Sequence, residues 1–143
     1  MRQNQGMPTV FTKIIDGELP GRFVWQDDHA VALLSIAPLT QGHTLVVPRK
    51  ETDDWTTLDP GLAGHLMVVA STLGAAVRAA FDAPRVGLVI AGFEVPHVHL
   101  HVFPARSMDD FDFHRARTDV PAAEFDEARD RILAALAAQG TAS

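Results

Sequence analysis

Apolar and polar positions repeat along this chain with two periods, and the changes between them mark its elements. Val10, Phe11, Ile14 and Ile15 recur at helical steps in a short segment that Asp16-Gly17 stops. Phe23, Val24 and Trp25 within 22–26, and the apolar stretch 29–36 beyond the acidic pair Asp27-Asp28, read as a hairpin. A connector with Pro38 and Gln41-Gly42 leads to a third strand, 43–47, ended by Pro48. At residue 59 the period becomes helical. Asp59 suits an N-cap and Pro60 the first helical position, and no further proline occurs until Pro84. Leu62, Leu66, Val69, Leu73, Ala76, Val77 and Ala80 then form a stripe fit to cover one face of a sheet. Residues 85–91 predict a fourth strand, 92–96 a turn and the histidine stretch after it a fifth strand, and a last helix from about 121 to 138 aligns Phe125, Ala128, Ile132 and Leu136 before Gly140. The acidic and aromatic stretch 107–117 reads only as a loop or short helix. The expectation is an α+β fold: a five-stranded antiparallel sheet with a long helix packed on it, plus a C-terminal helix. Residues 1–8 are expected to be a flexible N-terminus, 9–106 the domain, and 107–143 a loop and helix extension packed on that domain.

The fifth strand carries the chemistry. In Pro96-His97-Val98-His99-Leu100-His101-Val102-Phe103-Pro104 the strand alternation puts His97, His99 and His101 on one face and Val98, Leu100 and Val102 on the other. Same-face neighbours on a strand are about 6.5 to 7 Å apart, so a single small group bound over His99 is within reach of both other imidazoles. A lone histidine most often has a structural role; three at period two form a site. A His-x-His strand also suits zinc, but a further ligand would be needed and the chain has no cysteine.

Composition narrows the classes. At 143 residues with 47% hydrophobic residues, the chain is long enough for one core without disulfides. A net charge of −6 argues against nucleic acid and anionic membrane as partners. No apolar run is read as long enough to span a bilayer, and residues 1–8 are too polar for a signal peptide. With the absence of cysteine, this gives the expectation of a cytoplasmic protein.

Three separated motifs, in order, resemble the histidine triad (HIT) family of nucleotide hydrolases and transferases. His97-Val-His99-Leu-His101-Val-Phe is similar to the family's His-x-His-x-His pattern, 11–20 (Phe-Thr-Lys-Ile-Ile-Asp-Gly-Glu-Leu-Pro) to its opening segment, and 41–48 (Gln-Gly-His-Thr-Leu-Val-Val-Pro) to its Gly-His-Thr-Leu-Val strand. The resemblance implies a HIT-like fold, a homodimer, and a pocket for a nucleotide or nucleotide conjugate on the histidine face. It implies His99 as the nucleophile at the α-phosphorus, His101 and His43 as contacts to the phosphoryl oxygens, and His97 as a support. An imidazole of ordinary pKa is about three-quarters neutral at pH 7, so it can attack without a separate base. The resulting nucleotidyl-imidazole holds a good leaving group that water can displace.

The resemblance also marks departures. Phe11 and Leu33 are candidates to line a base pocket, with ordinary core as the equal alternative. Ser35 occupies the place of an aspartate that holds the ribose, and a hydroxyl cannot accept two hydrogen bonds as a carboxylate does. The loop 90–96 is several residues short and lacks Asn or Gln; Gly92 would permit close approach of phosphate and Glu94 would repel it unless turned away. Thr9 and Thr12 replace a metal-binding Cys-x-x-Cys pair, and Glu51 a histidine, so no metal and no cofactor are expected. Arg49, Lys50 and Arg106 read as solvated strand-end charges, with attraction of phosphate as the alternative, His65 as a helix-surface residue and His114 as loop. The implied activity is hydrolysis of a nucleotide conjugate, as in a nucleoside phosphoramidase, through a covalent nucleotidyl-histidine; the alternatives are a dinucleoside polyphosphate hydrolase or a non-catalytic nucleotide-binding or interaction protein of the same fold.

Overall fold

The computed structural model describes residues 7–140; residues 1–6 of the N-terminus expected to be flexible lie outside the described residues. Helix α1 (Val10–Ile15) leads into strands β1 (Phe23–Gln26), β2 (Ala30–Leu34) and β3 (Thr44–Pro48). Helix α2 (Pro60–Ala80), strands β4 (Arg85–Val89) and β5 (Leu100–Ala105), and helix α3 (Ala122–Ala138) follow. The strands form one sheet, wholly antiparallel, in the order β1-β2-β3-β5-β4. Asp27 makes the first turn, its Oδ1 accepting the backbone N–H groups of His29 and Ala30. The Asp59 carboxylate caps α2 through the N–H groups of Gly61 and Leu62.

The sheet has two different faces. On one, Leu66, Val69, Leu73 and Val77 of α2 pack on Ala32, Leu34, Val46, Leu100 and Val102. Fully burying each Leu or Val contributes roughly 1.5–3 kcal/mol, which makes this layer the main source of stability. Helix α3 adds Ala128, Ile132 and Leu136 to the same core. On the other face, Phe11 of α1 joins Val31, Leu33, Leu45 and Val47 in a smaller cluster, and the histidine row lies beside it.

Two sequence readings change. The 21-residue α2 is long and apolar enough to cross a membrane by length and composition, contrary to the reading that no such run exists; its buried stripe under the sheet gives it the part of a core helix. The paired part of β5 begins at Leu100, not at the first histidine. The alternation persists without the pairing: Val98 is in the α2 core, while the rings of His97 and His99 both meet Phe11 on the opposite face. The N–H of Val98 donates to the Thr52 carbonyl rather than to a ladder partner.

Two glycines position the histidine face. Gly42 holds φ at +97° beside the Phe81 ring, a turn that delivers His43 to the start of β3. A Cβ on Gly87 would sit 2.5 Å from the Phe103 ring and 2.7 Å from that of Phe111. Its absence lets the segment after β5 fold back across the sheet.

Candidate active site

His97, His99 and His101 from the β5 segment and His43 from the turn before β3 are all buried, with exposures of 0, 3, 5 and 2%. Their rings form a row: His99 and His101 have centroids 4.9 Å apart, and His101 and His43 are 5.1 Å apart. Phe11 closes the His99 end at 5.0 Å and Phe103 meets the His43 end at 5.3 Å, while Phe113 lies edge-on to the middle ring, His101, at 4.8 Å.

Backbone groups fix the tautomers. A peptide N–H only donates and a carbonyl only accepts, so each ring nitrogen facing one is determined. The Leu39 N–H donates to His43 Nδ1 at 2.9 Å, which places the His43 proton on Nε2. That Nε2–H donates to His101 Nδ1 at 2.9 Å. The proton of neutral His101 therefore lies on its Nε2. His99 Nδ1 is 2.8 Å from the His97 carbonyl, so Nδ1–H donates and the lone pair of Nε2 is left unengaged. His97 Nε2–H donates to the Pro48 carbonyl at 2.7 Å, and His97 Nδ1 accepts from the Thr9 hydroxyl at 2.7 Å.

Electrostatics favour neutral rings at His43, His101 and His97. Burial, reinforced by the neighbouring His101 and His99, pushes His43 down to about 3. Burial, with His99 adding to it, lowers His101 to about 4. Burial also lowers His97, although the Pro48 carbonyl and the Glu51 charge oppose this. The geometry thus sets Nε2 of His99, whose Nδ1–H is held by the His97 carbonyl, beside an N–H donor on His101, the pairing that nucleophilic attack on a phosphorus with stabilised oxygens requires.

The other expected residues divide. Phe11 and Leu33 belong to the small core on the histidine face. Leu33 also lines a cavity of about 360 Å³ with Ile14, Ile36, Arg22 and Phe125. The Ser35 hydroxyl accepts the Ala37 N–H at 3.2 Å, and the Ser35 N–H donates to the His43 carbonyl. Its polar groups serve the turn next to His43. Gly92, at φ +82°, has no neighbour within 4 Å of where a Cβ would stand, so the backbone angle accounts for glycine there. Glu94 is exposed and, among the described residues, forms no hydrogen bond or ion pair with the histidines. Arg49 and Arg106 donate to the carbonyls of Asp27 and Phe81, so their charges brace chain turns. His65 pairs with Asp27 at 2.7 Å, and His114 is fully exposed beside Asp112.

Sequence reading missed Phe113. Its only signal was the period-two spacing of Phe111 and Phe113 within an acidic stretch, and no strand follows it: both lie on short 3-10 turns, Met108–Phe111 and Phe113–Arg115. The HIT domain family model matches residues 16–108, which contain His43 and the whole histidine row.

The chain belongs to the HIT family.

An uncharacterised HIT-like protein of Mycobacterium tuberculosis is 39% identical over 108 residues, covering 72% of this chain and 75% of that protein. Among solved structures, a zinc-bound histidine triad family protein of Mycobacterium smegmatis superposes with a TM-score of 0.80 at 31% identity, covering 94% of this chain and 96% of that one. A hypothetical histidine triad nucleotide-binding protein of Sulfolobus tokodaii gives 0.79 at 26% identity, covering 90% and 91%. The likeness therefore extends over the C-terminal helix as well as the HIT domain. Membership supports a function of the nucleotide hydrolase or transferase type.

Zinc does not suit the residues where the family resemblance would put it. Thr9, Thr12, Glu51 and His97 do come together, but as two neutral hydroxyls, one carboxylate and one imidazole whose nitrogens face a hydroxyl and a carbonyl. Zinc favours thiolates and imidazoles with a free lone pair. No group of three or more His, Asp or Glu among the described residues is arranged to hold a metal ion.

Proposed function

We propose that this HIT protein hydrolyses a nucleotide conjugate, of the nucleoside phosphoramidate type, at its α-phosphate through a nucleotidyl-His99 intermediate. The observation that carries the reading is the fixed tautomer of His99: Nδ1–H is held by the His97 carbonyl, and Nε2 keeps its lone pair. Nε2 attacks the α-phosphorus of a phosphoramidate protonated on its nitrogen, the P–N bond to His99 forms, and the bond to the leaving nitrogen breaks with its electron pair going to that nitrogen, which departs as the neutral amine. Water then attacks the same phosphorus, gives up a proton to solvent, and the electron pair returns to Nε2. The net reaction consumes one water and yields a nucleoside monophosphate and the amine. The Nε2–H of His101 is a donor for the phosphoryl oxygens, and the hydrogen-bonded sequence Leu39, His43, His101 keeps it in that form. Phe11 and Leu33 give the nucleoside an apolar wall.

The second copy of the implied homodimer has a surface that suits it. Strand β4 ends the sheet with an unpaired edge, and beside it Met67, Gly74, Val86 and Leu88 line a groove of about 320 Å³ against α2. Met67 and Leu88 are 52% and 41% exposed, which a second chain would cover. Light scattering on the eluting protein is expected to give twice the chain mass; a monomer at micromolar concentration rejects this assembly.

Turnover of adenosine phosphoramidate by the wild type and by His99→Ala tests the activity. The wild type is expected to release AMP and His99→Ala to fall to background with an unchanged circular dichroism spectrum. Undiminished release by the variant would remove His99 from the mechanism. Binding of AMP without turnover by the wild type would favour the non-catalytic alternative.

A further inference from the structure

The residues that do not suit zinc are nonetheless connected, and the connection ends at His99. Glu51 Oε2 accepts the Thr9 N–H at 2.9 Å and the Thr12 hydroxyl at 2.5 Å. Both are charge-assisted hydrogen bonds, the stronger kind. The Thr9 hydroxyl accepts the Thr12 N–H at 3.1 Å, which makes it the N-cap of α1. Its own proton is then directed to His97 Nδ1, because the other nitrogen of that ring already donates to Pro48. One hydroxyl thus starts the helix and holds the histidine strand.

The inner end of this chain of contacts is enclosed, while Thr12 and Glu51 at its outer end are partly buried. Thr9 is 6% exposed and His97 has no exposed surface. A buried ring with both nitrogens engaged cannot rotate without leaving polar groups unmade, so the ring angle of His97 is set. The peptide of His97 is fixed as well, its N–H donating to the Val95 carbonyl at 2.8 Å and its carbonyl accepting His99 Nδ1–H. Helix α1 also carries Phe11, whose ring lies 5.0 Å from His99. Moving the start of α1 therefore disturbs His99 from two directions.

We propose that Thr9 and Glu51 are positioning residues for His99, acting through His97 in a hydrogen-bonded clasp that needs no metal ion. As a claim about catalysis it rests on the function proposed above, while the clasp itself has an independent readout. Its chemistry explains why hydroxyls and a carboxylate serve here: each ligand position is filled by a group that hydrogen-bonds its neighbour directly, so the cluster is complete without a cation. The carboxylate orders the Thr12 hydroxyl and the Thr9 backbone N–H, and the Thr9 hydroxyl, which accepts the Thr12 N–H, donates to Nδ1 and so specifies one His97 tautomer.

The test uses Thr9→Val, close in shape but without the hydroxyl, with Thr9→Ser as the conservative partner and Glu51→Ala at the far end. Thr9→Val and Glu51→Ala are expected to lower kcat for adenosine phosphoramidate by about tenfold with KM changed less than about twofold, and Thr9→Ser to restore it. Nitrogen-15 NMR of the histidine rings is expected to show the wild type with His97 protonated on Nε2 and His99 on Nδ1, and Thr9→Val with that single His99 tautomer lost. Equimolar zinc followed by EDTA is expected to leave wild-type Tm and kcat unchanged. A Thr9→Val protein that keeps kcat and the His99 tautomer while only Tm falls would reduce the clasp to a structural role. A zinc-dependent rise in Tm or kcat would overturn its independence of metal. Should the wild type turn over no nucleotide conjugate, the proposed activity fails, and the NMR arm alone still decides the clasp.

Discussion

Each histidine of the row has a separate environment, and backbone contacts rather than side-chain chemistry make the difference. His99 is oriented by a carbonyl, His43 by the Leu39 amide, and His101 by His43 in turn. Phe113 completes the set by covering the His101 ring, whose depressed pKa has burial as its first cause. Phe113→Ala is expected to admit water there and raise the His101 pKa from about 4 by roughly one unit toward the ordinary value. An NMR titration of the ring protons measures it, and an unmoved midpoint would show that other groups keep His101 dry. The alternation of the triad was legible in the sequence because it depends only on neighbouring residues along one strand. The partners Thr9 and Phe113 were not: Thr9 is 88 positions from His97 in the chain, and Phe113 sits in a segment without periodicity. Glu94, conspicuous in sequence, turns out to be exposed.

Among the elements, α2 and α3 were the most readable because their stripes repeat over several turns, whereas the start of β5 was misread. Apolar alternation reports which face a side chain takes and says nothing about whether the backbone has a ladder partner. Here residues 97–99 are held by a side-chain bond to Pro48 and backbone bonds to Thr52 and Val95 instead of by a ladder. Helix α3 shares its buried residues with the α2 core, and Arg22 of the β1 approach pairs with Asp126 at 2.8 Å. Its packing gives the C-terminal region a measurable stake in the fold. Ile132 is fully buried, so Ile132→Ala is expected to cost about 2–5 kcal/mol in a urea unfolding experiment. A loss below about 1 kcal/mol would mean that α3 is only loosely attached.

For the whole molecule, the buried neutral histidines couple stability to pH. His43 and His101 have pKa values near 3 and 4 when folded, against about 6.5 when unfolded. Between those values the unfolded chain binds more protons, so stability rises with pH through this window. Their contribution is fully present above about pH 6.5 and is lost progressively as the pH falls toward 4. Calorimetry is expected to show Tm falling from pH 7 to pH 5; a Tm that rises over the same interval would contradict the neutral assignment of the row. The same neutrality keeps the His43-to-His101 hydrogen bond, and with it the outward Nε2–H of His101, in the conditions where the proposed reaction would run. Apolar pattern and motif were enough to read the fold and the candidate nucleophile, since both are written locally; the clasp and the walls of the pocket depend on contacts made only after folding.

The central claim is that His99 Nε2 becomes bonded to phosphorus. It is tested most directly by mixing the protein with a nucleoside phosphoramidate, quenching within one turnover, and mapping any adduct by mass spectrometry of its peptides. The account predicts one nucleoside monophosphate group per chain, on His99, that decays as the free monophosphate appears. An adduct on another histidine, or full turnover by His99→Ala, would contradict it.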